Sequence, residues 1–322
     1  MNTKEKVVVM GHRLPDADSF GAAIGIYRAA KTLNKKAYIV IDNPTSSIIP
    51  LMNTFRDNQD YEADMFVNNH EAKEIMDDNT LLVVVDTNKP SITQCEDLLY
   101  MAKMIVVLDH HRQGSDTIRN SVLSYIEPYA SSASEMVAEI LQYFTEGIRI
   151  RNVEADSIYA GIMIDTDNFM QKTGVRTFEA AAFLRRCGAD VTRVRKLFRE
   201  DMNDYKARGE TIRNAELFRG QFAISECPSD YVDSPTVVGA QAANELLNIV
   251  GVKASFVLTE YKGVIYISAR AIDEVNVQII MERMGGGGHL NMAGCQLETV
   301  DLEGARSLLK STLTEMQDGG EI

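Results

Sequence analysis

Short runs of consecutive apolar residues recur along the first half of the chain and alternate with segments of helical character. Continuous hydrophobicity is typical of strands covered on both faces, as in a parallel sheet between two layers of helices. The predicted strands are "VVVM" (7–10), "AYIVI" (37–41), "LLVVV" (81–85) and "MIVVL" (104–108). The predicted helices are 19–33, 92–101, 132–144, 153–164 and 177–187. This pattern predicts an α/β domain over residues 1–190, with a doubly wound and mostly parallel sheet.

The pattern changes after residue 190. Residues 191–216 are helical in character but highly charged and lack long apolar runs, which predicts a helical linker. The remainder, 217–322, predicts a smaller α/β domain. Its predicted strands are 221–226, 254–260 and 263–270, and its predicted helices are 235–250, 276–284 and 302–316. The tripeptide Tyr261 to Gly263 predicts the turn of a hairpin between two of these strands.

Composition narrows the classes of function. A chain of 322 residues, 45% of them hydrophobic, can bury two domain cores. No apolar run reaches the roughly 18 to 20 residues of a membrane helix, and the N-terminus does not resemble a signal peptide. The four cysteines have no CxxC spacing, which predicts neither a disulfide framework nor a zinc ribbon and favours the reducing cytoplasm. A net charge of -13 argues against binding of long nucleic acid through phosphate contacts.

Ionisable residues follow several of the apolar runs. His12, Asp16 and Asp18 come after the first run, and Asp86 directly follows "LLVVV". Three more, Asp109, His110 and His111, follow "MIVVL", and Asp165 follows "AGIMI" (160–164), which also has the look of a strand. Ligands of open parallel sheets bind beyond the carboxyl ends of the strands. We therefore expect these side chains to converge on one crevice.

Carboxylates gathered so closely repel one another unless cations neutralise them. Two divalent ions would balance the four carboxylates, with two imidazoles as neutral ligands. The candidate metal ligands are His12, Asp16, Asp18, Asp86, His110 and Asp165. Oxygen and imidazole ligands without thiolate suit Mn²⁺ best, with Mg²⁺, Co²⁺ and Fe²⁺ left open. Such an ion pair serves phosphoryl displacement. The alternative is that each aspartate is a turn or cap residue, but four such signatures in order favour the metal site.

A second candidate region is the glycine-rich segment "MGGGGHLNMAG" (284–294), which we expect to precede a helix. Glycine lets backbone N–H groups approach an anion, and a helix N-terminus favours negative charge. The predicted substrate-binding residues are Gly286, Gly287, Gly288, His289 and Arg270. The alternatives are a flexible loop or a helix C-cap after Met284, and an ordinary exposed arginine. The small residues of "GAAIG" (21–25) lack a GxGxxG pattern and predict close packing of a helix on the sheet.

The segments "GHRLPDADS", "VVVDT", "VLDHH" and "GIMIDTDNF" resemble the four motifs of the DHH phosphoesterase superfamily. The segment "GGGGHLNMAG" resembles the glycine-rich signature of its DHHA1 partner domain, so the resemblance covers essentially the whole chain. Within the superfamily, "EPYASSASEMVAEILQY" and "TGVRTFEAAAFLRRCGAD" most resemble the C-terminal portion of GdpP-type cyclic-di-AMP phosphodiesterases. Full-length members of that type carry membrane, PAS and degenerate GGDEF segments ahead of this portion. We therefore expect a cytoplasmic catalytic portion of a membrane-anchored protein, or a short relative.

The resemblance implies roles for individual residues. His12, Asp16 and Asp86 would hold one metal, while Asp18, Asp86, His110 and Asp165 would hold the other. His111 would face the substrate phosphate, and Asp109 would orient a neighbouring histidine. The active site would lie in the cleft between the two domains, and a homodimer is expected on resemblance alone. Gly11 and Ala17 depart from residues common in the superfamily, but neither position supplies a ligand.

The resemblance also implies hydrolysis of cyclic-di-AMP to the linear dinucleotide pApA. A phosphatase or exonuclease acting on pApA, very short RNA or adenosine bisphosphate is the first alternative. A family II inorganic pyrophosphatase fits less well, because its C-terminal domain carries a lysine and arginine cluster where this chain has the glycine-rich segment. A non-catalytic nucleotide-binding sensor is the remaining alternative, against which the intact set of ligands argues.

Overall fold

The computed structural model describes residues 1–199, 201–272 and 275–322. The chain divides into two compact units, Met1–Arg199 and Glu200–Ile322. The charged segment expected to be a linker contributes helix α8 (Val191–Leu197) to the first unit and helix α9 (Met202–Arg213) to the second. Among the described residues, no helix combines the length and the hydrophobicity needed to cross a lipid bilayer.

The first unit is built on a six-stranded sheet in which all neighbouring strands are parallel. The strands are β1 (Lys6–Met10), β2 (Lys36–Val40), β3 (Phe66–Val67), β4 (Thr80–Val85), β5 (Ile105–Asp109) and β6 (Leu123–Ile126). The prediction of a doubly wound parallel sheet is confirmed. The sequence analysis missed β3 and β6, because one has two residues and the other has no fully buried position.

The remaining helices of the first unit are α1 (Ala17–Thr32), α2 (Ile49–Arg56), α3 (Asn69–Ile75), α4 (Asp97–Met101), α5 (Ala133–Phe144), α6 (Asn152–Asp165) and α7 (Val175–Arg186). Two predictions are corrected here. The expected helix over 92–101 is a 3₁₀ turn, Pro90–Ile92, followed by the short α4. The strand-like run before Asp165 is the last part of α6, since a largely buried helix segment also shows continuous hydrophobicity.

The continuous apolar runs are explained by burial on both faces of the sheet. Val7 and Val9 of β1 belong to a core that includes α1, α5 and α6. Val8 and Met10 point the other way, into a core with residues of α3 and α4. Successive residues of a strand face opposite sides, so a strand between two helical layers needs apolar residues at every position.

Helix α1 is buried along most of its length, and Gly21 and Gly25 of the small-residue segment pack against other helices. A Cβ added at Gly21 would lie 2.6 Å from the Ser134 hydroxyl of α5 and 2.6 Å from the backbone oxygen of Ser157 in α6. At Gly25 it would lie 2.3 Å from Val137 of α5. The small residues therefore hold α1 against α5 and α6, and this contact fixes the start of α1, which carries Asp18.

The second unit contains a six-stranded sheet in the order β11-β12-β10-β9-β8-β7, with one parallel pair, β8 and β9. The strands are β7 (Glu216–Phe218), β8 (Phe222–Cys227), β9 (Ala254–Tyr261), β10 (Val264–Ala271), β11 (Gly287–His289) and β12 (Met292–Leu297). The helices are α10 (Pro235–Leu246), α11 (Val277–Arg283) and α12 (Leu302–Asp318). The predicted β9–β10 hairpin is present, with Val264 paired to Tyr261.

The glycine-rich segment was predicted to precede a helix, but it forms β11 and the start of β12 instead. Gly287 to His289 form β11, which turns back on β12 at the edge of the sheet. The preceding glycine, Gly285, has φ +83 and ends helix α11 in the left-handed conformation typical of a C-cap. A Cβ at Gly288 (φ +151) would lie 2.5 Å from Ala293, so the tight strand pair itself requires glycine there.

A candidate metal centre at the switch point of the first sheet

The candidate ligands lie where the strand order of the first sheet reverses. In the order β3-β2-β1-β4-β5-β6, the chain goes from β1 to one side and then returns to β4 on the other. Crossovers leave β1 and β4 in opposite directions, so a crevice opens beyond their carboxyl ends. His12 follows β1, Asp86 follows β4 and His110 follows β5. The topology therefore brings together residues far apart in sequence.

The loop after β1 presents His12 and Asp16. The Gln94 side chain donates a hydrogen bond to the backbone oxygen of His12, 3.0 Å away, which fixes this loop. Asp16 is the N-cap of α1 and accepts a hydrogen bond from the Ser19 N–H at 2.9 Å. Gly11, which departs from the superfamily pattern, lies where a Cβ would come within 1.9 Å of the Ser19 hydroxyl. Asp16 thus caps α1 through one carboxylate oxygen, and its other carboxylate oxygen lies 3.5 Å from His12 Nε2.

Asp18 is buried and is held by the N-terminus of helix α5. Its two carboxylate oxygens accept hydrogen bonds from the N–H groups of Ala133 (2.7 Å) and Ser134 (2.8 Å). The Ser134 hydroxyl donates to the backbone oxygen of Asp18 at 3.0 Å. A helix N-terminus favours negative charge, which reduces the cost of burying this carboxylate. The sequence analysis predicted the start of α5 but not this contact with Asp18.

Asp86 is the centre of the cluster. It is 2% exposed, and its φ of 58 places a non-glycine residue in the left-handed region at the end of β4. Such strain is tolerated chiefly at functional sites. Its Oδ2 lies 3.2 Å from His12 Nε2, at hydrogen-bond distance. Its Oδ1 is buried without a hydrogen-bond partner among the described residues, and this orphaned acceptor is an observation that favours a bound cation.

His110 joins the remaining carboxylates. Its Nε2 lies 3.4 Å from Asp86 Oδ1, 3.6 Å from Asp165 Oδ2 and 3.8 Å from Asp18 Oδ2. Asp165 reaches this position from the last turn of α6, a helix, whereas the other groups come from loops after strands or from the start of α1. One imidazole nitrogen therefore faces three carboxylates.

Without metal, this cluster collects protons. Burial lowers the pKa of His12, but hydrogen bonds with Asp16 and Asp86 outweigh burial and raise it to about 10. Burial likewise lowers the pKa of His110, and Asp86 and Asp18 raise it to about 9. Burial, followed by the charge of Asp86, raises the pKa of Asp165 to about 7 and that of Asp18 well above its ordinary value.

Asp86 behaves in the opposite way. Burial alone raises its pKa, but interactions with His110 and His12 dominate and lower it to about 2. The same cluster thus keeps one carboxylate charged and pushes its neighbours toward the protonated form. Protons and metal ions neutralise the same excess of negative charge, so this arrangement fits a site that exchanges protons for cations.

The side chains form three overlapping groups, each with its ligand atoms within 4.8 Å of one another. The groups are His12, Asp16 and Asp86; Asp18, His110 and Asp165; and Asp86, His110 and His111. Two of them resemble the two predicted ligand sets, and the third brings His111 near Asp86. Carboxylate oxygens and imidazole nitrogens are the donors that Mn²⁺, Mg²⁺ and Fe²⁺ accept. The cluster can therefore hold metal.

His111 lies beside this cluster and is tied to Asp109. Asp109 is fully buried, and its Oδ1 accepts hydrogen bonds from the His111 backbone N–H at 3.1 Å and from the ring Nδ1 at 2.8 Å. The His111 side chain is 57% exposed. The sequence analysis did not single out Asn88, although it stands two residues after Asp86. Its amide donates to Asp109 Oδ2 at 2.5 Å.

The predicted substrate-binding residues lie in the second unit. Arg270 is the penultimate residue of β10 and lies on the half-buried face of this strand, where its Nε donates to the Asn244 side chain at 2.9 Å. Burial lowers the pKa of Arg270. Gly286 directly precedes β11, and both it and Gly287 are partly exposed. Gly288 and His289 of β11 are exposed. Their role in substrate binding stays a prediction.

Comparison with known proteins gives matches in both units. The model of the DHH family, N-terminal domain, matches residues 6–162, and the model of the DHHA1 domain matches residues 222–315. The cyclic-di-AMP phosphodiesterase GdpP of Bacillus subtilis is 42% identical over 320 residues, which are 98% of this chain and 48% of that protein. This chain therefore spans about half the length of such relatives.

A more distant relative is matched over nearly its whole length. The bifunctional oligoribonuclease and PAP phosphatase NrnA of Thermus thermophilus is 25% identical over 98% of this chain and 92% of its own. A solved exopolyphosphatase-related protein of Bacteroides fragilis has the same fold, with a TM-score of 0.80 at 20% identity, covering 98% of this chain and 93% of that one. With both domain models matched in order and the four motifs gathered at one sheet edge, the chain belongs to the DHH family of phosphoesterases and carries a DHHA1 domain.

Proposed function

We propose that this chain is a metal-dependent phosphodiesterase that uses two divalent cations, Mn²⁺ by preference, to hydrolyse cyclic-di-AMP to linear pApA. The observation that carries the proposal is the buried Asp86, whose Oδ1 has no hydrogen-bond partner among the described residues and faces two histidines. The substrate is proposed from the relative GdpP of Bacillus subtilis, whose name states that activity.

The proposed ligands form two sets that share Asp86. His12, Asp16 and Asp86 hold one ion, and Asp18, His110, Asp165 and Asp86 hold the other. Four carboxylates then match the four positive charges of two divalent cations, which supports a dinuclear rather than a mononuclear site. When bound, the ions acidify a water molecule and stabilise the charge that develops on the phosphoryl oxygens.

The residues of the chain do the remaining work. His111 faces the substrate phosphate, while Asp109 orients its imidazole by accepting a hydrogen bond from Nδ1. Arg270 supplies the cation for a second phosphate, and Gly286 to His289 offer backbone N–H groups on a partly exposed strand.

A second candidate activity is the hydrolysis of pApA, of very short RNA or of adenosine bisphosphate. The observation that favours it is the match to NrnA of Thermus thermophilus over 92% of that protein's length, whereas GdpP is matched over 48%. The same ligands and the same His111 would serve both reactions, so the two activities differ only in how the substrate is held.

The deciding experiment incubates the purified chain with Mn²⁺ and, separately, with cyclic-di-AMP, pApA, a five-residue RNA and adenosine bisphosphate. Products are resolved by ion-exchange chromatography over time. We expect pApA to accumulate from cyclic-di-AMP, with kcat/KM at least about tenfold above that for pApA. Chelator-treated protein and the Asp86→Ala variant, purified in the same way, control for contaminating nucleases.

The other outcomes are equally informative. Release of AMP from pApA without attack on cyclic-di-AMP would overturn the proposal in favour of the second candidate. Binding of cyclic-di-AMP without any product, in protein shown to contain metal, would indicate a sensor. Repeating the reaction with Mg²⁺, Co²⁺ and Zn²⁺ tests the preference for Mn²⁺.

A further inference from the structure

We infer that Asn88 is a positioning residue of this site, whose side-chain amide fixes the carboxylate of Asp109 and thereby the ring tautomer of His111. The inference rests on the proposed function, in which His111 faces the substrate phosphate. It concerns a residue that stands outside the ligand set and touches neither the proposed ions nor the substrate.

Asn88 is rigidly placed. It is 1% exposed and follows Asp86 by two residues, in the segment that leaves β4. Its backbone oxygen accepts a hydrogen bond from the N–H of Ile118 at 2.9 Å, which ties this segment to the chain after His111. The side chain therefore projects from a fixed backbone into the interior.

The amide of Asn88 makes two contacts, and both partners are acceptors. Nδ2 donates to Asp109 Oδ2 at 2.5 Å and to the backbone oxygen of His111 at 3.3 Å. Because a carboxylate and a carbonyl only accept, the nitrogen and not the oxygen of the amide must face them. Asn88 thus holds the side chain of Asp109 and the backbone of His111, the two residues that flank His110.

The amide oxygen of Asn88, Oδ1, is buried and, unlike the nitrogen, has no hydrogen-bond partner among the described residues. Leaving a buried acceptor unpaired costs stability, and such groups call for an explanation. Orientation by the two donated hydrogen bonds supplies one, since in the reversed amide the oxygen would face two other acceptors and both hydrogen bonds would be lost.

The consequence falls on His111. With Oδ2 of Asp109 taken by Asn88, its Oδ1 faces the His111 ring, and Nδ1 must carry the proton to donate across 2.8 Å. The same Nδ1 lies only 3.6 Å from Asp86 Oδ1, inside the third group of possible metal ligands. A protonated Nδ1 offers no lone pair to a cation, so the Asn88–Asp109 pair keeps this nitrogen of His111 out of the ligand set.

The test uses the whole chain labelled with ¹⁵N-histidine and loaded with diamagnetic Mg²⁺, at a pH of about 8, where imidazole is ordinarily neutral. The His111→Ala spectrum assigns His111 among the five histidines. We expect a protonated Nδ1 and an unprotonated Nε2 in the wild type. In Asn88→Ala we expect a mixture of the two tautomers, or protonation of Nε2.

Kinetics on cyclic-di-AMP with Mn²⁺ provide the second readout. Asn88→Ala should lower kcat by about 10- to 100-fold while leaving KM and metal content within about twofold. The matched control is Asn120→Ala, which removes an amide that donates to the backbone oxygen of Leu99 instead. It should change neither the tautomer nor kcat.

If Asn88→Ala is too unstable to measure, the exchange variant Asn88→Asp/Asp109→Asn decides. It preserves volume and one hydrogen bond across the pair, so Nδ1 of His111 should again be protonated, unlike in Asn88→Asp alone. An unchanged His111 tautomer in Asn88→Ala or Asn88→Asp overturns the inference. A wild type without phosphodiesterase activity but with this tautomer shift would overturn the proposed function and leave the positioning role standing.

Discussion

The two units differ in how far the ionisable residues of their candidate regions are buried and in how closely these residues contact one another. In the first unit the ionisable residues of the site are buried or half-buried, apart from the exposed His111, and burial and neighbouring groups shift the pKa values of five of them. In the second unit the candidate residues are a single arginine, a short run of glycines and the exposed His289 at a sheet edge. Burying the charged groups of the first unit costs free energy unless cations neutralise them, whereas the partly or fully exposed residues of the second unit keep their contact with water. The difference fits the proposed assignment of the chemistry to the first unit and of substrate binding to the second.

The sheets explain this difference. A parallel sheet with helices on both faces buries the ends of its central strands, and side chains placed there lose water. The second sheet is mostly antiparallel, and its edge strand β11 pairs on one side only, with β12. Backbone N–H groups at such an edge are available to a ligand. Four experiments can break or sharpen the contrast.

The largest effect is expected from Asp86→Ala in the first unit. Both proposed ligand sets lose a carboxylate, so turnover should fall by about a thousandfold or more and metal content should drop for both ions. Steady-state rates and elemental analysis of the dialysed protein measure this. Asp78→Ala is the matched control, because its carboxylate is 74% exposed and pairs with Lys103. Unchanged metal content in Asp86→Ala would remove Asp86 from its proposed bridging position.

Metal uptake should be strongly pH-dependent. In the metal-free protein the pKa values of His12 and His110 are raised from 6.5 to about 10 and about 9. The raised pKa values stabilise the metal-free fold. This contribution is fully present below about pH 6.5 and is lost as the pH rises through 9 to 10. Metal needs both imidazoles and the carboxyls of Asp18 and Asp165 unprotonated, so uptake at pH 7 should release at least two protons and affinity should rise by at least about a hundredfold per pH unit.

Calorimetry in buffers of different ionisation enthalpy counts these protons. His70→Ala is the matched control, since the His70 side chain is 82% exposed and lies outside the cluster. It should leave the proton count unchanged, whereas His12→Ala should reduce it by about one. Uptake without proton release would show that the imidazoles are neutral before metal binds.

In the second unit, Arg270→Ala should raise KM for cyclic-di-AMP by about 10- to 100-fold, with kcat changed much less. The reason is the loss of charge-assisted hydrogen bonds to a phosphate, worth about 1.5–3 kcal/mol. Metal content should stay constant. Arg213→Ala, which removes a 76% exposed arginine paired with Glu210, is the control. A fall in kcat at constant KM would move Arg270 from substrate binding to the chemical step.

The smallest effects on catalysis are expected within the glycine strand, where two neighbours form a matched pair. Gly288→Ala forces a Cβ to within 2.5 Å of Ala293 at φ +151 and should lower the free energy of unfolding by about 1–3 kcal/mol. Gly287→Ala meets nothing within 4 Å, so stability should be unchanged. If the strand binds substrate, Gly287→Ala raises KM instead. Urea unfolding and steady-state kinetics separate the two roles.

Much of the first unit could be predicted because its strands are buried on both faces. The runs at residues 7–10 and 81–85 are apolar at every position, and each is followed by an acidic residue or a histidine. The edge strands β3 and β6 escaped prediction, since β3 has only two residues and exposure removes the apolar signal from β6. The same reasoning failed at "AGIMI", where burial of most residues makes a helix resemble a strand in hydrophobicity.

The glycine-rich segment shows a different limit. Four consecutive glycines predict close backbone approach, and the structure has it, but the partner is strand β12 of the same sheet. Local sequence does not distinguish an anion from a strand as the approaching group. Only the register, with Gly288 opposite Ala293, shows why glycine is needed there.

The sequence by itself determined the parallel sheet, the order of the four motifs and the identity of the ionisable residues, because hydrophobic burial and residue chemistry are local properties. Tertiary structure alone decided that α5 offers its N-terminus to Asp18, that Asp86 keeps an unpaired buried oxygen, and that Asn88 stands behind Asp109. Each of these depends on distances between segments 20 to 120 residues apart, which strand order and helix packing set.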